Sequence, residues 1–547
     1  MPGLLQQGVT AQALARPDAV AVEFKGARMT YGSLEEASNR LARLLIDFGC
    51  RRGDRVGLLM PKSPTAIVAM LGALKADAIY VPMDPASPAA RQARVLEISD
   101  CRVILAGGMV SPMLREALTA AALQQRPLIG WLDDTTAPGT DLAPAFTLRD
   151  LAAASAALPR SANTARDLAH ILFTSGSTGT PKGVMITHGN VMQFLQWAIK
   201  HFGIDHTDRI SQHAPLRFDI SGFDIFGALW AGAELHLVPA ELNLLPHELA
   251  RLIRECRLTQ WFSVPSVLNL MAKFDAVGHD DFPCLRRVLF AGEPLPTPTL
   301  MHWMRRLPHV RFTNLYGPTE TTISSSFYTV PRCPSDPREP IPIGAACDGE
   351  ELLLLDSELR PVAPGEIGEI CIRGAGLSPG YWRDQEKTRS VFVPLPGGNG
   401  LHDRIYRTGD LGRCRADGMI CFVGRNDTQI KSRGYRIELG EIDAALHSLP
   451  GLRESAVVAI QTGGFEGWQI CCAYVPAPDE GVSPDGLRAA LAKLLPGHML
   501  PARWMRYDHA LPKNPSGKID RTRLREGFVR ADPPSPRNAN EPLLRRA

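Results

Sequence analysis

The chain of 547 residues has no uninterrupted apolar run approaching the roughly 18 residues that cross a bilayer. Its opening stretch, MPGLLQQGVTAQALARPDAVAV, has no basic segment leading into an apolar one, so neither a membrane span nor an export signal is expected. An excess of one charge is also missing. Lys and Arg number 60 against 57 Asp and Glu, a net charge of +3, too balanced for the electrostatic footprint of a nucleic-acid binder or a polybasic membrane surface. Cysteine spacing is equally uninformative as a framework. The 11 cysteines are scattered singly except for Cys471 and Cys472, with no CxxC pair and an odd total, which favours reduced thiols and a cytoplasmic location. No repeat of solenoid length is found.

The sequence does have enough apolar material for packed cores, with 45% hydrophobic and 21% charged residues, and it is too long for one domain of ordinary size. Over the first 160 residues or so, helical and strand-like patterns alternate. SLEEASNRLARLLIDFG is amphipathic, and RVGLLM and AIYVPM read as short strands. VILAG, HILFTS, ELHLVP, WFSVP and RVLFAG continue the pattern and predict parallel α/β architecture, with ligands expected beyond the carboxyl ends of the strands. From about residue 335, ELLLLD, EIGEICIRG and MICFVG with Pro-Gly and Asp-Gly turns predict a smaller β-rich lobe. A final unit, from about 428 to 530, mixes GEIDAALHSL and DGLRAALAKLL helices with ESAVVAIQ and ICCAYVP strands. RADPPSPRNANEPLLRRA reads as a disordered tail.

The segment Leu172-Phe173-Thr174-Ser175-Gly176-Ser177-Thr178-Gly179-Thr180-Pro181-Lys182-Gly183 concentrates hydroxyls, glycine amides and one lysine after an apolar strand. That chemistry suits polyphosphate oxygens, whereas a polar surface loop would not need this density of donors. It is not a Walker A loop, since Pro181 and Gly183 stand where that motif requires Gly and Ser or Thr.

With LKADAIYVPMDP, LFTSGSTGTPKGV, FDISGFDIF, NLYGPTETT, GEICIRGAGLSPGYW, YRTGDLGR, GRNDTQIKSRGYRIELGEI and LPKNPSGKIDR in that order, almost the whole chain resembles the adenylate-forming superfamily. It resembles most closely the amino-acid-activating adenylation domains of nonribosomal peptide synthetases. The resemblance implies a large N-terminal core of mixed α/β sheets plus the β-rich lobe (1–426), a small mobile α+β C-terminal domain (427–530) and the tail (531–547). It implies an ATP-dependent, AMP-forming ligase: an amino acid carboxylate becomes an aminoacyl-AMP with release of pyrophosphate, and the phosphopantetheine thiol of a carrier protein then takes the acyl group. ATP and Mg2+ are the implied cofactors, with phosphopantetheine supplied by the carrier protein in trans. The segment after Lys518 is too short for a carrier module, so a stand-alone enzyme is the expectation.

By the same resemblance, Thr174, Ser175, Gly176, Thr178 and Lys182 hold the outer phosphates. Lys518, in NPSGK, meets the substrate carboxylate and α-phosphate. Tyr316 offers a face to adenine, Glu320 a hard oxygen to Mg2+, Asp410 two acceptors to the ribose hydroxyls, and Arg425 further support to the nucleotide. Attack of one anion on another needs such positive charge and fixed geometry. Asp427 is the implied hinge, with the segment around Lys431 and Gly434 near the thiol's approach after the swing. Read alone, Lys518 would be solvated surface, the NLYGPTETT segment a turn, and Asp410 or Asp427 a loop aspartate.

Asp219 matches the aspartate that pairs with a substrate α-ammonium, and losing one partner of such a buried pair costs about 3–5 kcal/mol. An acyl- or aryl-CoA synthetase, the alternative enzyme, has no use for it. Ile220, Phe223, Ser263, Leu289, Ala291, Leu315, Ile323 and Ser324 complete the implied pocket. None is charged, so a small to medium neutral amino acid is expected, with proline leading and serine, alanine and valine behind it. Asp224 reads as structural. A luciferase-like oxygenase finds no support, and a non-catalytic relative would not need Lys182, Glu320, Asp410 and Lys518 together.

Overall fold

The computed structural model describes residues 3–139, 141–176, 179–396, 403–462, 467–478, 481–514 and 518–531. The chain divides into two compact units. One comprises the residues up to Pro85, Gln92–Thr174 and Lys182–Asp427; the other comprises Ala86–Arg91, Ser175–Pro181 and the chain from Thr428.

The larger unit is built on three sheets. One has eight strands, with Leu168–Thr174, Ile79–Pro82, Arg55–Leu59, Val103–Ala106, Leu128–Trp131 and Phe146–Thr147 running parallel, and Lys182–Thr187 and Gly380–Tyr381 added on one edge. The other large sheet has nine strands; its centre holds Arg311–Tyr316, Arg287–Ala291, Gln260–Ser263, Arg209–Gln212, Glu234–Leu237 and Val20–Phe24 in parallel array. Sequence patterning predicts seven of these twelve strands, Arg55–Leu59, Ile79–Pro82, Val103–Ala106, Leu168–Thr174, Glu234–Leu237, Gln260–Ser263 and Arg287–Ala291, but neither the other five nor the antiparallel edges. The strand carrying HILFTS pairs antiparallel with Lys182–Thr187, so the hydroxyl-rich loop closes a β-hairpin, not the strand-to-helix turn of a P-loop.

Helices cover these sheets, and their ends are written locally. Thr30 caps the amphipathic helix Tyr31–Asp47 by accepting from the Ser33 amide, and Ser63 caps Pro64–Lys75, which has Pro in its first turn. Helix His188–Phe202 opens with a Thr187/Asn190 capping box and ends at left-handed Gly203. The β-rich lobe is a five-stranded antiparallel sheet of Glu350–Leu355, Ile367–Gly374, Phe392–Pro394, Arg404–Cys414 and Ile420–Arg425.

In the smaller unit a three-stranded sheet, Leu452–Gln461, Trp468–Pro476 and Arg503–Arg506, is buried on both faces. Val457 and Cys472 pack with Leu439, Ile442, Leu446 and Leu491, while Val458 and Cys471 pack with Leu524 and Phe528. The period of two explains the continuous apolar text of these strands, and it sends the adjacent cysteines to opposite faces. All 11 cysteines are free. Arg530 and Ala531, assigned above to the disordered tail, instead finish helix Arg521–Ala531, which Leu524 and Phe528 anchor. The rest of that tail lies outside the described residues. Among the described residues no helix is long and apolar enough to cross a membrane.

Candidate functional site

Strand Arg311–Tyr316 ends between two groups of candidate residues, because successive side chains face opposite ways. Leu315 joins the main core with Ile220, Phe223, Leu289, Ala291 and Ile323. Tyr316 instead packs with Ile343, Ile370, Ile372 and Ile420 on the side of the β-rich lobe. One strand terminus therefore separates the predicted acid pocket from the predicted nucleotide side.

On the nucleotide side the Tyr316 hydroxyl donates to Asp410 Oδ2 at 2.8 Å, and Arg425 forms an ion pair with Asp410 Oδ1. Asp410 lies directly opposite Arg425 in the antiparallel ladder, which is why residues distant in sequence meet. Arg425 also donates to the Thr408 carbonyl at 3.1 Å and to Asp427 through Nε and Nη2. The Asp410 side chain is only 2% exposed. Burial, then the neighbouring Asp410 charge, pushes the Tyr316 phenol well above its ordinary range, so it remains a donor. Gly409 keeps this junction open: it has φ of +72°, and a Cβ there would come within 2.8 Å of Arg425 Nη2.

Glu320 is fully buried in the short turn Thr319–Thr321, and Tyr381 donates its hydroxyl to Glu320 Oε1 at 2.7 Å. Lys182 Nζ stands 6.0 Å from the centre of the same tyrosine ring. Thr174 pairs directly with Lys182 across the hairpin, and Thr174 Oγ1 is buried without a hydrogen-bond partner among the described residues. Ser175 and Gly176 are buried and belong to the smaller unit. Thr178 and Ser177 lie outside the described residues. Lys518 is exposed in the smaller unit, its amide donating to Asn514 Oδ1 at 3.0 Å; its neighbours Pro515, Ser516 and Gly517 lie outside the described residues.

On the acid side, Asp219 is half-buried and accepts from the Ile220 amide at 2.7 Å, which fixes it at the start of a broken helix. That helix passes through a π turn, Phe223–Gly227, which buries both Phe223 and Asp224. Leu289 and Ala291 share a face of their strand, and Ala291 pairs with Leu315. Ser263 does not join them. It is paired with Phe290, and it accepts the Trp261 indole N–H at 3.0 Å, so the period of two turns its side chain to the opposite face of the sheet. Ser324 Oγ is buried without a partner among the described residues.

The chain matches the model of the AMP-binding enzyme family over residues 9–382 and that of the AMP-binding enzyme C-terminal domain over 441–518. The chain belongs to the AMP-binding enzyme family. Among curated relatives of this AMP-binding enzyme, tyrocidine synthase 3 of Brevibacillus parabrevis is 34% identical over 95% of the chain, which spans only 8% of that synthase. An L-proline--[L-prolyl-carrier protein] ligase of Pseudomonas fluorescens is 34% identical, with 93% of the chain and 97% of the ligase covered. Among solved structures, an NRPS protein containing adenylation and PCP domains, bound to a vinylsulfonamide inhibitor, superposes with a TM-score of 0.79 at 29% identity, covering 96% of this chain and 84% of that one.

Three features of this AMP-binding enzyme escape a sequence reading. Tyr381 links Glu320 to Lys182, yet within GLSPGYW it reads as one more apolar strand residue. Thr322 and Ile323 adopt positive φ, +62° and +69°, and the Ser324 amide reaches back to the Thr322 carbonyl at 2.8 Å. This is a strained turn for two β-branched residues, and it carries one wall of the acid side. The only sequence signal is the run of hydroxyl residues, of which Thr322 donates to the Gly376 carbonyl at 2.7 Å. Finally, Lys62 donates to the carbonyls of Gln212, His213 and Val238 at 2.8–3.0 Å. Burial pushes its ammonium down to about 7, against the opposing pull of Asp224. Asp224 is 1% exposed, neither of its oxygens has a partner among the described residues, and burial drives its carboxyl well above the usual range.

Proposed function

We infer that this protein converts an amino acid and ATP to aminoacyl-AMP and pyrophosphate, then passes the aminoacyl group to the phosphopantetheine thiol of a carrier protein. The observation that supports this reading is the junction of Tyr316, Asp410 and Arg425 at the end of the strand whose Leu315 lies in an apolar core with Leu289 and Ala291, in a chain that matches carrier-protein ligases over nearly their whole length. The N-terminal core expected from the sequence (1–426) is proposed to bind ATP and the amino acid; the C-terminal domain (427–530) carries Lys518, and Asp427 is the hinge.

Each residue acts through ordinary electrostatics. Asp410 retains lone pairs for the ribose hydroxyls while Tyr316 and Arg425 hold it in place. Lys182 and the loop donors offset the outer phosphate charge, and Lys518 draws the carboxylate towards the α-phosphate, where two anions must meet. The donor set fits Mg2+: Glu320 supplies a buried, oriented carboxylate, the hard oxygen this ion takes. When bound, Mg2+ neutralises charge on the nucleotide's phosphates. Asp219 receives the α-ammonium, and the apolar wall of Phe223, Leu289, Ala291, Leu315 and Ile323 leaves a charged side chain unpaired. Proline leads among substrates: the apolar wall suits its ring, and the Pseudomonas relative is named for that amino acid. A cytoplasmic setting belongs to the same reading and agrees with the free cysteines.

The test is ATP–pyrophosphate exchange across the common amino acids. Proline is expected to give the highest rate, and Lys518→Ala to abolish it. Exchange driven by aryl or fatty acids and by no amino acid would overturn the assignment of Asp219.

A further inference from the structure

Away from all of these residues, the nine-stranded sheet brings an imidazole, a thiol and two carboxylates together. Glu23, in Val20–Phe24, pairs in register with His236, in the parallel neighbour Glu234–Leu237, so both side chains stand on one face. Glu234 lies two residues before His236 and shares that face. Cys256 arrives from the end of helix Pro246–Glu255. The ligand atoms of Glu23, His236 and Cys256 all lie within 4.8 Å of one another, and the side chains of His236 and Glu23 are only 6% and 13% exposed.

We propose that Glu23, His236 and Cys256 form a zinc site, with Glu234 as the outer carboxylate that orients the histidine. His236 Nδ1 lies 3.1 Å from Glu23 Oε2, close to the edge of about 3.3 Å that separates two ligands around tetrahedral zinc. The other ring nitrogen, Nε2, lies 3.2 Å from Glu234 Oε2, the arrangement in which a ligating histidine gives its remaining N–H to a carboxylate. Glu234 is itself held by Arg209 Nε at 3.2 Å, so the support behind the imidazole is already built. A thiolate, an imidazole and one carboxylate select zinc or cobalt over Mg2+ and Ca2+, which prefer all-oxygen sites. The strands and the helix end would be joined by the ion, so binding should stabilise the fold.

The simpler account is an imidazolium bracketed by two carboxylates, with the thiol merely nearby, and the two make different predictions. Full-length protein, stripped of metal with a chelator and kept reduced, is titrated with Co2+ and then Zn2+. The expected result is one ion per chain, a thiolate-to-cobalt charge-transfer band that Zn2+ removes, and a rise in Tm with Zn2+. Cys256→Ser should abolish that band and weaken Zn2+ binding at least tenfold. Glu234→Gln should weaken binding severalfold while the band persists. Glu23→Gln is the second ligand variant should Cys256→Ser fail to fold. No thiolate band in the unmodified protein, or a band that survives loss of Cys256, would overturn the site.

Discussion

Arg425 holds Asp427 with two parallel N–H···O bonds, Nε to Oδ1 and Nη2 to Oδ2, each 2.7 Å long. The same guanidinium pairs with Asp410, so a single planar cation joins the residue proposed for the ribose to the last residue of the larger unit. A planar fork can serve two carboxylates and a carbonyl at once, whereas an ammonium is a point charge that cannot reproduce the geometry.

Arg425→Lys should therefore behave as a loss, despite keeping the charge. A cost of about 2–3 kcal/mol in transition-state stabilisation corresponds to a fall of roughly 30- to 150-fold in kcat/KM for ATP in the exchange assay. A variant within threefold of the unmodified enzyme would show that the fork is not needed.

Tyr381→Phe removes the hydroxyl on Glu320 and leaves the ring near Lys182 in place. Groups that orient a metal-binding carboxylate are typically worth about 10- to 100-fold in metal affinity. The Mg2+ concentration for half-maximal exchange should rise about tenfold, with the KM for the amino acid unchanged. An unshifted Mg2+ titration would remove Glu320 from the metal site.

Lys62 and Asp224 should respond unequally. Lys62→Met leaves the carbonyls of His213 and Val238 without the Lys62 donor, while that of Gln212 keeps the Val238 amide at 3.0 Å, and should cost about 2–4 kcal/mol in chemical denaturation. Burial pushes the Asp224 carboxyl well above its usual range, which favours the neutral form, so Asp224→Asn should stay within about 1 kcal/mol. Equal losses would mean that Asp224 is ionised and paired with Lys62.

Glu350 supplies a pH dependence. It accepts from the Gly376 amide at 2.6 Å, but burial raises its carboxyl to about 7. The folded state therefore keeps a proton that the unfolded chain loses from pH 4.5 upward, so this contribution is full below 4.5 and is lost as pH rises through 7. Unmodified protein should lose on the order of 1–3 kcal/mol relative to Glu350→Gln between pH 4.5 and pH 8. Parallel stability curves for the two proteins would contradict it.

Much of the order of elements and the residue types proposed for the site were legible in the sequence because both are written in short stretches. Apolar runs of strand length, the amphipathic pattern of SLEEASNRLARLLIDFG and segments such as YRTGD depend on near neighbours alone. What only the tertiary structure decided was direction and company. The antiparallel partner of Leu168–Thr174, the turning of Ser263 away from Leu289 and Ala291, the tie from Tyr381 to Glu320, and the meeting of Glu23 with His236 and Cys256 all depend on strand order and register. A one-residue shift in register sends a side chain to the other face of its sheet, and register is set by packing across the whole unit, which no local stretch of sequence contains.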